Sequence, residues 1–127
     1  MIKNFLIISF IGDNDKLGLR INKEFFIHSF ENKKDKKKEL VSEILKFLKS
    51  HKVILNEKFT VIVNQGPGSF SGIRISMSVA KGLKISKKVS LFGFKSKDLK
   101  VFDQENVENL INNNLIEKKL IKPIYIS

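Results

Sequence analysis

Val61-Ile62-Val63-Asn64-Gln65-Gly66-Pro67-Gly68-Ser69-Phe70-Ser71-Gly72-Ile73-Arg74 decides how this chain folds. Val61 to Val63 is an apolar, β-branched run suited to a pleated strand. It stops where Pro67 fixes φ and Gly66 and Gly68 free it. The stretch therefore reads as a strand feeding a tight loop. Ser69 then offers its hydroxyl to cap a following helix, with the first-turn amides of Phe70, Ser71 and Gly72 facing the loop. Two uses of such a loop are open. It can be an anion site, in which the amides of Gly68 to Gly72 hold a phosphate and Arg74 or Lys81 adds charge. It can equally be a tight connection in which the glycines serve only the turn, with Arg74 paired to a neighbouring carboxylate. The spacing fits neither the P-loop nor the dinucleotide fingerprint, and Lys81 comes too late to be a P-loop lysine.

The 127 residues suit one domain. Their apolar runs fall well short of the roughly 20 residues of a membrane span, so no membrane partner is expected. Cysteine is absent, which removes disulfides, a thiolate nucleophile and a cysteine-based zinc site, and suits a reducing cytoplasm. The two histidines, His28 and His51, are too isolated for a metal cluster and read as strand-edge or helix-end residues. Ser69 and Ser71 read as caps, since no base lies near them in sequence. Lysine and arginine number 24 against 13 acidic residues, a net charge of +11. A field of that sign attracts polyanions such as tRNA, although a lysine-, asparagine- and isoleucine-rich bias accounts for it as well.

Asn4 to Ile11 is a nearly continuous apolar run, as in a central strand covered on both faces. After the turn signal Gly12-Asp13-Asn14-Asp15, Lys16–Ile21 and Glu24–Phe30 read as two strands around Asn22-Lys23, completing an antiparallel meander of three. Glu31 to Lys38 is a charge run, read as a solvated loop and first helical turn. From Glu39 to Ser50, Leu40, Val41, Ile44, Leu45, Phe47 and Leu48 form a broad apolar stripe at helical period. Phe59 to Asn64 is the strand entering the glycine loop, and Val89 to Gly93 is another. Asp103 is placed to cap a helix through Val107, Leu110, Ile111 and Leu115.

Gly66-Pro67-Gly68-Ser69-Phe70-Ser71-Gly72-Ile73-Arg74 followed by Ala80-Lys81-Gly82-Leu83 resembles the signature of the TsaB family, which reads Gly-Pro-Gly-Ser-Phe-Thr-Gly-Leu/Val-Arg and then Ala-Lys-Gly-Leu. The ending Lys122-Pro123-Ile124-Tyr125-Ile126 is similar to that family's Pro-Val/Leu-Tyr-Leu-Arg tail. Ile73, Ile75, Met77 and Val79 alternate like a strand, but Ile73, Met77, Ala80 and Leu83 also fall on one helical face, with Ile75, Val79 and Gly82 on another, and the resemblance implies a helix over Phe70–Lys84. It implies an α/β fold: one actin-like ATPase, ribonuclease H-like lobe with a mixed sheet, packed helices and a tail over about 119–127. It also implies a shortened form, because the second lobe of the family is missing between Phe94 and the tail.

TsaB is the non-catalytic partner of TsaD in threonylcarbamoyladenosine modification of tRNA. The resemblance therefore implies a subunit that is not an enzyme, binds TsaD and reaches TsaE through the assembled complex. Its first-lobe helices would dock, through Leu40, Val41, Ile44, Leu45, Leu48, Ile75, Val79 and Gly82, with a homodimer through the same strip as the alternative assembly. Ser9 stands where the family commonly has Asp, so no independent ATP hydrolysis, cofactor or metal is expected; ATP or ADP would sit only at the partner interface. The competing readings are a phosphate- or nucleotide-binding module at Gly66–Gly72 and a basic RNA-binding domain using Lys33, Lys34, Lys36, Lys37 and Lys38, with tRNA otherwise indirect or weak.

Overall fold

A computed structural model describes residues 2–12, 14–30, 36–118 and 122–124, the side chains of 36–39 excepted. Five strands form one mixed sheet: β1 Phe5–Ser9, β2 Lys16–Ile21, β3 Glu24–Ser29, β4 Thr60–Asn64 and β5 Ser90–Phe94, in the order β3-β2-β1-β4-β5. Three α-helices accompany them, α1 Lys36–Ser50, α2 Phe70–Lys87 and α3 Gln104–Asn112.

β1 to β3 form the expected antiparallel meander, with Leu6 opposite Leu19 and Leu19 opposite Phe26. The β2–β3 hairpin closes on Asn22 and Lys23, both at positive φ (51° and 68°). Such a two-residue turn matches the twist of its strands. β4 runs parallel to β1 on one side and to β5 on the other, so β4–α2–β5 is a parallel crossover unit.

Alternation along the central strands divides the core in two. Leu6, Ile8, Leu17, Leu19, Val61 and Val63 face α1 and α2, meeting Leu40, Ile44, Leu48, Ile73, Met77 and Ala80. Phe5, Ile7 and Ile62 face α3, meeting Val107 and Leu110. Both faces of β1 are thus covered, which is why its sequence is apolar without alternation. α3 starts at Asp103, whose carboxylate accepts the Asn106 amide at 2.8 Å, and an Arg20–Glu108 ion pair ties it to β2. It ends at Asn112, so Leu115, expected within it, lies beyond the turn that follows, 42% exposed. No helix of the described residues is long and apolar enough to cross a membrane.

Candidate functional site

The end of β4 and the residue after it bring two buried polar side chains, Asn64 and Gln65, to the mouth of the glycine loop. Asn64 Oδ1 accepts the Gly66 amide at 2.8 Å, and its Nδ2 donates to Ser9 Oγ at 3.1 Å. Ser96 Oγ, just after β5, lies 3.0 Å from Asn64 Oδ1 and 2.9 Å from the Pro67 carbonyl. The Gly66–Pro67 peptide is cis and Gly66 has φ +99°. The tail returns here too: the Ile124 amide donates to the Gln65 carbonyl at 2.6 Å, and Gln65 Nε2 donates to the Lys122 carbonyl at 3.0 Å. Residues 119–121 and 125–127 of the expected tail lie outside the described residues.

The loop glycines sit where chain presses on chain. A Cβ at Gly68 would lie 2.6 Å from the Ile11 side chain, and one at Gly72 would lie 2.7 Å from the Phe10 carbonyl oxygen. At Gly66 it would meet the Ile124 carbonyl at 2.2 Å. The Ser69 amide donates to the Ile11 carbonyl at 2.7 Å, and Ser69 Oγ accepts the Gly72 amide at 3.4 Å, capping α2. Two of the five amides of the anion reading are therefore committed within the chain. Close packing of the loop on the chain after β1 accounts for Gly68 and Gly72, and packing on the tail for Gly66. Ser71 Oγ lies 3.4 Å from Ser69 Oγ. Arg74 lies over the Phe70 ring, 5.3 Å from its centroid, rather than over the loop. The histidines gather elsewhere: His28 pairs with Glu43 at 3.0 Å, and His51 stacks on Phe26.

The residues expected to dock a partner separate into two sets. Leu40, Ile44 and Leu48 are buried against the sheet and present nothing outward. Val41 and Leu45, one turn apart on α1, are 48% and 54% exposed. On α2, Ile75 and Val79 are half-buried and Gly82 is exposed, with nothing within 4 Å of an added Cβ. The stripe on α1 is wide because it serves two surfaces. Of the basic run, Lys33 and Lys34 and the side chains of Lys36, Lys37 and Lys38 lie outside the described residues.

Sequence reasoning missed a pocket of about 480 Å³ at the carboxyl ends of β1 and β4, lined by Ser9, Asn64, Ser96, Asn14, Lys16 and Lys100 among others. Among the described residues its donor set does not fit a magnesium nucleotide. Ser9 carries no carboxylate, and Asp15, nearby in sequence, is buried with its Oδ1 accepting the Gly12 amide at 2.9 Å. Among the described residues no group of three or more His, Cys, Asp or Glu is placed to hold a metal ion.

A family model described as "TsaD: tRNA N6-adenosine threonylcarbamoyltransferase" matches residues 31–104. The tRNA threonylcarbamoyladenosine biosynthesis protein TsaB of Buchnera aphidicola subsp. Schizaphis graminum is 43% identical over 63 residues, 45% of this chain and 29% of its own. That of the Acyrthosiphon pisum subspecies is 33% identical over 88 residues, 68% of this chain and 40% of its own. The solved structure of YeaZ from Pseudomonas aeruginosa superposes with a TM-score of 0.67 at 19% identity, covering 77% of this chain and 45% of that one. The chain spans less than half the length of each of these relatives. The structural likeness carries the fold, an actin-like, ribonuclease H-like lobe.

Proposed function

Since the chain belongs to the TsaB family, with a threonylcarbamoyltransferase family model matching residues 31–104, we propose that it serves threonylcarbamoyladenosine modification of tRNA as a non-catalytic subunit that docks onto TsaD. The observation that carries this reading is the outer face of the helical layer. Val41 and Leu45 stand exposed on α1 beside an α2 that offers half-buried Ile75 and Val79 and a bare Gly82. Apolar side chains at i and i+4 make a strip along each helix. A facing helix pair can cover it, with the missing side chain at Gly82 admitting close approach.

On this reading the lobe does no chemistry of its own. The serines of the loop cap and hold α2, and the Ser9–Asn64–Ser96 network fixes the ends of β1 and β4. ATP or ADP, where one takes part, belongs to the interface with TsaD, and TsaE joins only the assembled complex, in the cytoplasm.

The test is co-purification of the full chain with TsaD from the same organism in about 0.5 M salt, which screens surface charge to a few ångströms. The wild type is expected to be retained, and the folded Leu45→Glu/Val79→Glu variant lost. A folded wild type that fails to bind removes the subunit reading. A wild type that forms only a homodimer makes the strip a self-association surface instead.

A further inference from the structure

We propose that β3 is a self-pairing edge, at which a second copy of this chain adds antiparallel to Glu24–Ser29 and continues the sheet from one copy into the other. β3 is the outermost strand on its side of the sheet. At the opposite edge the chain covers itself, since Gly93 of β5 and Glu117 exchange two backbone hydrogen bonds, both 2.8 Å. Among the described residues nothing pairs with the outer side of β3. Sheet edges that stay single are usually blunted by lysine, proline or a bulge. The sequence Glu24-Phe25-Phe26-Ile27-His28-Ser29 has neither lysine nor proline, in a chain with 24 lysines and arginines, and pairs with β2 without a bulge. Ile27, in its middle, is 44% exposed.

The hairpin determines which backbone groups face outward. Ile21 and Glu24 close the two-residue turn, and from there pairs that exchange both hydrogen bonds alternate with pairs that exchange none. Glu24, Phe26 and His28 therefore bond to β2, while Phe25, Ile27 and Ser29 turn their amides and carbonyls outward. The Phe30 amide, donating to the Asp15 carbonyl at 3.1 Å, follows the same parity. A copy related by a two-fold axis must set outward residues opposite outward residues, so the axis passes through a residue and not between two. Centring on Ile27 sets Glu24 against Phe30 and Phe25 against Ser29. Centring on Phe25 sets Glu24 against Phe26. Centring on Phe26 instead sets Phe26 against its own copy, Phe25 against Ile27 and Glu24 against His28, which matches apolar with apolar and carboxylate with imidazole. About four backbone hydrogen bonds join the copies in that register. Glu24 makes no ion pair among the described residues, and the His28 side chain, beside Glu43, is still 34% exposed. Pairing through β3 uses none of the residues of the outer strip and does not depend on docking to TsaD.

The experiment is sedimentation equilibrium of the full chain over a range of salt. An edge this short buries less than a standard interface, so a dissociation constant on the order of 0.1 mM is expected. Each copy carries +11, so association should tighten as salt rises and screens the repulsion. Ile27→Lys should weaken it by about tenfold or more. Ile54→Lys adds the same charge at a residue 78% exposed elsewhere, and should weaken it by less than about threefold. Leu45→Glu/Val79→Glu should still associate. The register is read separately, because the chain has no cysteine and introduced thiols report only the new contact. Under a mild oxidant Phe26→Cys should link to its own copy, since pairs that exchange no bonds bring Cα atoms to about 4.5 Å. Glu24→Cys and His28→Cys should link when mixed and far less when each is alone, which tests the register even where Phe26→Cys does not fold. The proposal is overturned by a wild type that is monomeric at about 1 mM, by equal weakening in the two lysine variants, by loss of association in the Leu45→Glu/Val79→Glu variant, or by Glu24→Cys linking to itself as readily as to His28→Cys.

Discussion

Gly72 and Phe10 meet backbone to backbone: a Cβ built on Gly72 would lie 2.7 Å from the Phe10 carbonyl oxygen. The start of α2 is thereby seated on the end of β1, and backbone cannot yield there as a flexible side chain would. Gly82, ten residues on in the same helix, has nothing within 4 Å of an added Cβ. Gly72→Ala should therefore destabilise the fold by about 1–3 kcal/mol, the usual range for overpacking. Gly82→Ala should stabilise it by about 0.5–1 kcal/mol by narrowing the unfolded ensemble. Urea denaturation of the two variants checks this, and shifts of the same sign would contradict it.

Ile44 and Leu45 are neighbours with opposite fates. Ile44 is 1% exposed in the core beneath α1, and Leu45 is 54% exposed on its outer side. Ile44→Ala should cost about 2–5 kcal/mol through reduced burial and the cavity left behind. Leu45→Ala should stay within about 0.5 kcal/mol of wild type in the isolated chain. On the proposed docking, the same Leu45→Ala change should weaken binding to TsaD, which thermal melts and a binding titration on one preparation would separate.

Ser69 ends the loop and begins α2 by accepting the Gly72 amide, and the first turn of α2 carries no acidic residue. Ser69→Ala should cost about 0.5–2 kcal/mol, the range for loss of an N-cap. Ser69→Asp keeps an acceptor at that position and adds a charge favoured by the helix dipole, so it should recover most of that loss. Denaturation midpoints of the three proteins decide it.

Among the described residues, an ion pair and a histidine–carboxylate contact tie outer elements to the sheet, Arg20 to Glu108 of α3 and His28 to Glu43 of α1, with every partner partly exposed. A double-mutant cycle on either pair should return a coupling below about 1 kcal/mol, since solvent screens such charges. A larger coupling would mean that α1 or α3 is held by charge more than by packing.

Much of this architecture is legible in the sequence because it is local. The unbroken apolar run of β1, the Asn22-Lys23 turn, the strand-to-loop break at Gly66 and the Asp103 cap each state their geometry within a few residues. α2 is harder. Ile73 to Val79 alternates like a strand, and the helix follows from the shared face of Ile73, Met77, Ala80 and Leu83 together with the resemblance carried by the loop before it. The stripe of α1 shows its width but not which half faces in, so Leu40, Ile44 and Leu48 are grouped with Val41 and Leu45 as docking residues. That division depends on the tilt of α1 on the sheet, which is set by side chains distant in sequence. The return of the tail to Gln65 is a long-range event with no local period. Composition reports only an excess of lysine, not where it gathers.

The proposed apolar docking of the α1–α2 face onto TsaD is tested most directly by calorimetric titration of the two proteins at two temperatures and two salt concentrations. Burial of an apolar strip predicts a negative heat-capacity change. It also predicts an affinity that moves by less than about threefold between about 0.1 and 0.5 M salt, because exposed charges are largely screened at the higher value. A loss of tenfold or more over that range, or the absence of any heat-capacity change, would contradict it.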